Sequence, residues 1–237
     1  MFKWIYRFNL YCSYVSKSFF PYTIRTFVIF LSIIESVGLC TDAQIRNSTP
    51  VLSITFGAGT ARYSNSTAAK FDFTTTYQQK FSDPVDDGMF GLVNAVPTNR
   101  PAWHGGSRDH TGNTGGYMLF VNANLQAGRF YNGTVKNLTV GVQYQFSVWA
   151  ANAVKSGNNL LAPQVLFEVR SLAAGNALLA QLNSGSIPEY SNMTWKQYGL
   201  SFVAPTTSVV LLMISNAPGG NGNDLVLDDI ELRRCMS

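Results

Sequence analysis

The segment YQFSVWA, Tyr144 to Ala150, decides the fold. Tyr144, Phe146, Val148 and Ala150 fall on one face at a period of two, with Trp149 on the other. That alternation belongs to a half-buried strand and gives no helical stripe. Outward from it the same period recurs. VLFEV (Val165 to Val169) points Val165, Phe167 and Val169 inward and Glu168 outward, and YGLSF (Tyr198 to Phe202), VVLLMI (Val209 to Ile214) and LVLDDIEL (Leu225 to Leu232) continue the series. Further strands are expected at 54–56, 89–93, 117–122, 129–135 and 178–182. Gly, Pro and Asn punctuate the runs, so the pattern predicts an all-β chain of two antiparallel sheets packed as a sandwich.

Composition agrees. Of 237 residues 46% are hydrophobic and 13% charged, with 20 glycines. Such a chain is too apolar for disorder and large enough for one core. Cysteine is scarce, with Cys12, Cys40 and Cys235 alone, so a disulfide scaffold is excluded. No basic run survives outside the start of the chain, which removes nucleic acid as an implied partner.

The first 43 residues read as a targeting segment. Lys3, Arg7, Lys17 and Arg25 precede the apolar TFVIFLSII (Thr26 to Ile34), and small residues follow in SVG and TDA. The segment is either a cleaved signal peptide or a retained signal anchor, and a membrane partner is implied in the second case alone. Its removal takes four basic residues against Glu35 and Asp42, so the net charge of +4 falls by two. Cleavage before Cys40 permits a Cys40–Cys235 clasp, whereas cleavage after Ala43 leaves Cys235 unpaired. Residues 44–52 read as a short polar lead-in and 53–237 as the sandwich. Asn47, Asn65, Asn132, Asn137 and Asn192 each begin an N-x-[ST] triplet and are candidate glycosylation sites on an extracellular chain.

The order of FDFTTTY (Phe71 to Tyr77), YQFSVWA, WKQYGLSF (Trp195 to Phe202) and LVLDDIEL resembles the jelly-roll domains of carbohydrate-binding modules of the family 4/9 group, which are galactose-binding-like sandwiches. DHTGNTGGYM (Asp109 to Met118), DDIEL and Cys235 are similar to extracellular MAM adhesion domains, whose other cysteines are missing here. DDGMF (Asp86 to Phe90), DHTGN and APGGNGNDLVLDDI (Ala217 to Ile230) resemble sandwich repeats of bacterial surface adhesins. The resemblance implies a jelly roll, and it implies that the acidic residue of the last strand, Asp228 with Asp229 beside it, helps hold a structural calcium ion.

By alternation Val226, Asp228, Ile230 and Leu232 share one face, which turns Asp228 towards the core and Asp229 away. A carboxylate among Val and Ile needs a hydrogen-bond partner or a cation. Two readings stand: calcium, with carbonyls of ITFGAG (Ile54 to Gly59) completing six to eight oxygens, or backbone amides. Asp83, Asp86 and Asp87 are either further ligands or a solvated turn.

WHGGSRDHTGNTGGYM, Trp103 to Met118, gathers both histidines. His104, Asp109 and His110 lack the third and fourth ligands that zinc requires. Asp109 and Thr111 are expected to brace a turn. Trp103 and His104 form the candidate ligand contact: an exposed indole receives a sugar ring, and Arg108, Asn113 and Tyr131 offer hydroxyl partners. The alternative is a Trp covering one open end of the core. Trp149 lies either on an outer surface or on a concave binding face. Glu168, Glu189 and Glu231 present no pair of carboxyls at glycosidase spacing, so catalysis is not expected.

The sequence therefore predicts a secreted, non-catalytic module that binds a poly- or oligosaccharide. The rival is an adhesion or matrix module that binds a cell-surface or matrix protein.

Overall fold

The computed structural model describes residues 38–172 and 175–236; of the targeting segment expected over residues 1–43, residues 1–37 lie outside the described residues. Two sheets face each other. The first runs β10 (Lys196–Val203), β7 (Gln143–Asn152), β12 (Leu225–Arg234), β5 (Met118–Asn122), β4 (Met89–Val93), β3 (Gln78–Gln79), with β1 (Pro50–Ile54) also on β12. The second runs β2 (Phe73–Thr74), β6 (Arg129–Val135), β11 (Val209–Ser215), β8 (Gln164–Ser171), β9 (Leu178–Ser186). The chain crosses between sheets after β1, β2, β5, β6, β7, β9, β10 and β11, which gives the expected jelly-roll sandwich.

Alternation explains the layer between the sheets. Tyr144, Phe146, Val148 and Ala150 of β7 meet Val165, Phe167 and Val169 of β8 and Val209, Leu211 and Met213 of β11. Each such side chain contributes roughly 1.5–3 kcal/mol by leaving water. Phe146 and Phe167 meet edge to face with centroids 5.8 Å apart, tying the sheets across the layer.

The first sheet has a second apolar layer on its outer face. Tyr63, Val93, Trp103, Met118, Phe120, Ala151 and Val226 pack there beneath the long connections of the chain. Strand β5 is therefore buried on both faces, which is why MLFVN reads as a smooth apolar run without alternation.

Three expectations require correction. The first strand, expected over 54–56, is Pro50–Ile54 and begins inside the stretch read as a polar lead-in, because Leu52 and Ile54 pair with Leu232 and Ile230. Strand β3 pairs with β4 in parallel, the one such pair of named strands among the described residues. In β12 the strict alternation fails. The register on β7 shifts between Asp228 and Glu231, and Asp229 has φ 47°. This bulge puts Leu225, Leu227, Ile230 and Leu232 in the central layer, and Asp228 shares the outer face with Val226. It falls where one edge of β12 passes from β5 (225–227) to β1 (230–233).

The ends of the fold are clasped. Cys40 and Cys235 form a disulfide with Cα atoms 6.1 Å apart, and the Met236 amide donates to Gln44 O at 2.8 Å. A four-residue helix, Asp42–Ile45, lies at this clasp. No helix among the described residues is long and apolar enough to cross a membrane.

Candidate functional site

Residues 102–104 run beside 153–155. His104 N donates to Ala153 O at 2.8 Å and Lys155 N to Ala102 O at 2.8 Å, with Trp103 bridging to Val154. This pairing drives the Trp103 side chain into the second apolar layer, where it is 1% exposed and meets Phe120 edge to face at 4.7 Å. Its indole N–H donates to Asp224 Oδ2 at 2.7 Å.

Asp224 ends the loop GGNG (Gly219 to Gly222), which docks on Leu160 and Leu161. Leu161 N donates to Asn221 O at 3.0 Å and Asn223 N to Leu161 O at 2.6 Å. Gly222 has φ 99°, and a Cβ there would meet the Leu161 backbone, so only glycine permits this close approach. Between this loop and the Trp103 segment lies a cavity of about 430 Å³. Asp87, Arg100, Asn122, Asn221 and Asp224 supply its polar lining, with Trp103 and Leu160 as apolar wall.

Asp224 is 5% exposed. Burial, with the charge of Asp87 adding to it, pushes its carboxyl up to about 7 against the pull of the Trp103 N–H, Arg100 and the Ala123 amide. Its Oδ1 meets no hydrogen-bond partner of normal geometry. Arg100 stands over the Trp103 ring at 5.4 Å and pairs with Asp86 at 3.1 Å. Asn122 donates through Nδ2 to Val85 O at 3.0 Å, which fixes its amide plane. The cavity thus combines carboxylates, amides and an aromatic wall in a volume within the range of small-molecule sites.

The expected ligand residues do not converge. Trp103 and His104 are neighbours but buried, so Trp103 is the wall of a pocket and its face is no open platform. Burial lowers the His104 imidazole pKa, and its Nε2 has no partner. Arg108 and Asn113 are exposed on the loop that follows. Tyr131 is 1% exposed on β6, in the central layer, stacked on Phe73 at 5.2 Å, and lies away from the cavity beside Trp103. Trp149 is half-buried, with one face covered by the His110 ring at 3.9 Å, and Trp195 stands edge-on to that ring at 5.8 Å.

Around Asp228 the structure shows a lock. Oδ2 accepts from His110 N at 2.9 Å, Thr111 N at 3.3 Å and Thr111 Oγ1 at 3.2 Å, and Oδ1 accepts from Asp229 N at 2.8 Å. Asp229 reaches His110 Nδ1 at 2.6 Å, and Thr111 Oγ1 at 3.0 Å is a second donor within its reach. Burial, with Asp229 beside it, raises the Asp228 carboxyl to about 7. The donors occupy the oxygens that calcium would need, so Asp228 and Asp229 as arranged do not fit the ion. Among the described residues no group of three His, Cys, Asp or Glu side chains converges on a metal position. Thr111 braces the turn as expected. The turn hydrogen bond expected of Asp109 is not made: its Oδ2 is buried without a partner, and its carboxylate packs over Gly116, where any Cβ would collide.

Of the acidic turn, Asp83 accepts from Tyr63 Oη at 2.6 Å and Arg62 at 3.0 Å, while Asp87 lines the cavity. Glu168 and Glu231 are held by Arg170 and Arg233, each at 2.7 Å. The candidate sugar acceptors Asn47, Asn65, Asn137 and Asn192 are exposed, Asn132 is half-buried in β6, and none lines the cavity. Sequence reading missed Asp224, Asn122 and Asn221. The available signal was an acidic residue directly before the apolar LVL, behind a glycine-rich loop.

No protein-family model matches the chain, and no curated protein matches it significantly. Solved structures do. The CBM22-1 xylan-binding domain of Paenibacillus barcinonensis Xyn10C is 11% identical over 80% of this chain and 97% of that one, with a TM-score of 0.46. TmCBM61, solved with β-1,4-galactotriose, is 14% identical over 61% and 81%, with a TM-score of 0.36. The C-terminal domain of EclA, a sugar-binding protein, is 21% identical over 46% and 69%, with a TM-score of 0.35. Each is a likeness of fold at low identity.

Proposed function

We propose that this protein is a secreted, non-catalytic carbohydrate-binding module that holds a saccharide in the cavity between Trp103 and Asp224. The observation that carries this reading is the composition of that cavity: paired carboxylates and side-chain amides set around an indole wall. Vicinal hydroxyls are both donors and acceptors, and amide and carboxylate groups match them, while C–H groups of a pyranose pack on the half-buried Leu160. The Cys40–Cys235 disulfide and the exposed sequons support an oxidising, extracytoplasmic setting.

Titration of the protein with a panel of neutral and charged oligosaccharides, read by calorimetry, tests the reading. Asp87→Asn and Asn221→Ala, both at the cavity lip, are expected to weaken binding at least tenfold with an unchanged melting temperature. Retention of a cell-surface protein without any saccharide binding would favour the adhesion reading in its place.

A further inference from the structure

We propose that the cavity selects a saccharide carrying a protonated amine, a hexosamine unit, over its neutral and N-acetylated counterparts. The inference rests on the carbohydrate reading above and concerns the charge of the ligand.

The lining is unbalanced in charge. Asp87 and Asp224 face the cavity, and Arg100 is the one cationic residue lining it. Its guanidinium is already held, by Asp86 at 3.1 Å and by the Trp103 ring at 5.4 Å. Lys155 stands outside the lining, with Nζ turned to Pro101 O at 3.3 Å. The excess is local, since the chain as a whole carries a net charge of +4. General attraction of the protein for cations therefore does not account for it.

The geometry of Asp224 sharpens the point. One carboxylate oxygen is fixed by the Trp103 N–H; the other is buried with no hydrogen bond of normal geometry, and the Ala123 amide is the backbone group that draws on the carboxyl. A buried carboxylate oxygen left unpaired is costly. A hydroxyl offers it one neutral donor, whereas an ammonium group brings three donors and the compensating charge. N-acetylation deletes that charge and adds bulk at the same atom. Calcium answers the charge alone: it requires six to eight oxygens, more than two carboxylates provide, and it makes no use of the Trp103 and Leu160 wall.

The test compares four ligands on the full protein by calorimetry, in buffer at about pH 7, where Asp224 is partly ionised and the sugar amine still partly protonated: a glucosamine trimer, the N-acetylglucosamine trimer, a glucose trimer, and methylammonium, with calcium chloride as a further arm. The glucosamine trimer is expected to bind at least tenfold tighter than either neutral trimer, about 1.4 kcal/mol. Asp87→Asn is expected to shrink that margin and leave the melting temperature unchanged. Asp224→Asn, checked for native near-UV dichroism, is expected to abolish it. Equal affinity for all three trimers overturns the charge selection and leaves the carbohydrate reading standing. No binding of any trimer overturns both. Methylammonium or calcium binding as tightly as the glucosamine trimer also overturns the inference, because a cation site with no use for the sugar ring would explain it.

Discussion

The indole N–H of Trp103 donates to the carboxylate of Asp224 at 2.7 Å, across 121 residues of sequence and inside the fold. That contact joins a loop before β5 to the first residue before β12, and it makes the cavity wall part of the apolar layer over the first sheet. Binding and stability are therefore coupled at Trp103. An exposed stacking platform is removable without loss of stability; this residue is not.

Trp103→Phe retains most of the buried ring and deletes the donor, leaving the second Asp224 oxygen unpaired as well. A loss of about 1–3 kcal/mol is expected in urea unfolding. Trp103→Ala adds a cavity and is expected to cost about 3–5 kcal/mol. Combining Trp103→Phe with Asp224→Leu removes both polar partners, and the pair is expected to lose less than the sum of the single changes. Additive losses would show that the hydrogen bond contributes nothing.

Asp224 and Asp228 set a pH dependence. Both carboxyls lie near 7 in the fold, against 3.8 as the ordinary value. The folded state therefore holds protons that the unfolded chain has released. Their stabilising effect is complete below about pH 4 and is lost as pH rises through about 7. The free energy of unfolding, and the melting temperature with it, is expected to fall across that window, by at most roughly 4 kcal/mol per group. Asp224→Asn is expected to flatten the fall. An identical slope in wild type and variant would locate the effect elsewhere.

Much of the fold was legible because burial on a single face writes itself into a strand at period two. Tyr144 to Ala150 and Val165 to Val169 show it, and the strand expected over 129–135 coincides with β6. The misreadings share a cause, which is structure that alternation cannot encode. The bulge at Asp229 reverses the parity of β12 within one turn of chain. Trp103 sits among Arg, Pro and Gly, a context that reads as an exposed loop, yet three-dimensional pairing with 153–155 buries it. The cavity draws Asp87, Asn122 and Asp224 from distant segments, and no local spacing announces such a meeting. The β12 bulge also produced the lock on Asp228, whose amide partners come from 110 and 111.

The clasp between the ends of the domain has its own expected signature. Cys40 and Cys235 close 195 residues of chain, and around them Cys40 N donates to Gln145 Oε1 at 2.8 Å and Ser201 Oγ to Gly38 O at 2.9 Å. Replacing both cysteines with serine frees the unfolded chain. A loss of about 2–5 kcal/mol is expected by thermal or urea unfolding. Because the cavity lies outside this clasp, saccharide affinity is expected to stay unchanged in the same variant.

The arrangement at Asp228 separates two ways of holding the loop over β12. A calcium brace would make stability depend on the ion by mass action, and a chelator would lower the melting temperature. The lock of N–H and O–H donors makes no such demand. Chelation is therefore expected to leave the melting curve in place. Thr111→Val, which deletes the hydroxyl within reach of Asp228 at 3.2 Å and Asp229 at 3.0 Å, is expected to cost about 1 kcal/mol in the presence or absence of calcium. A chelator-induced fall of several degrees, restored by added calcium, would mean that the carboxylates turn from these donors to an ion, and that Thr111 braces a different state of the loop.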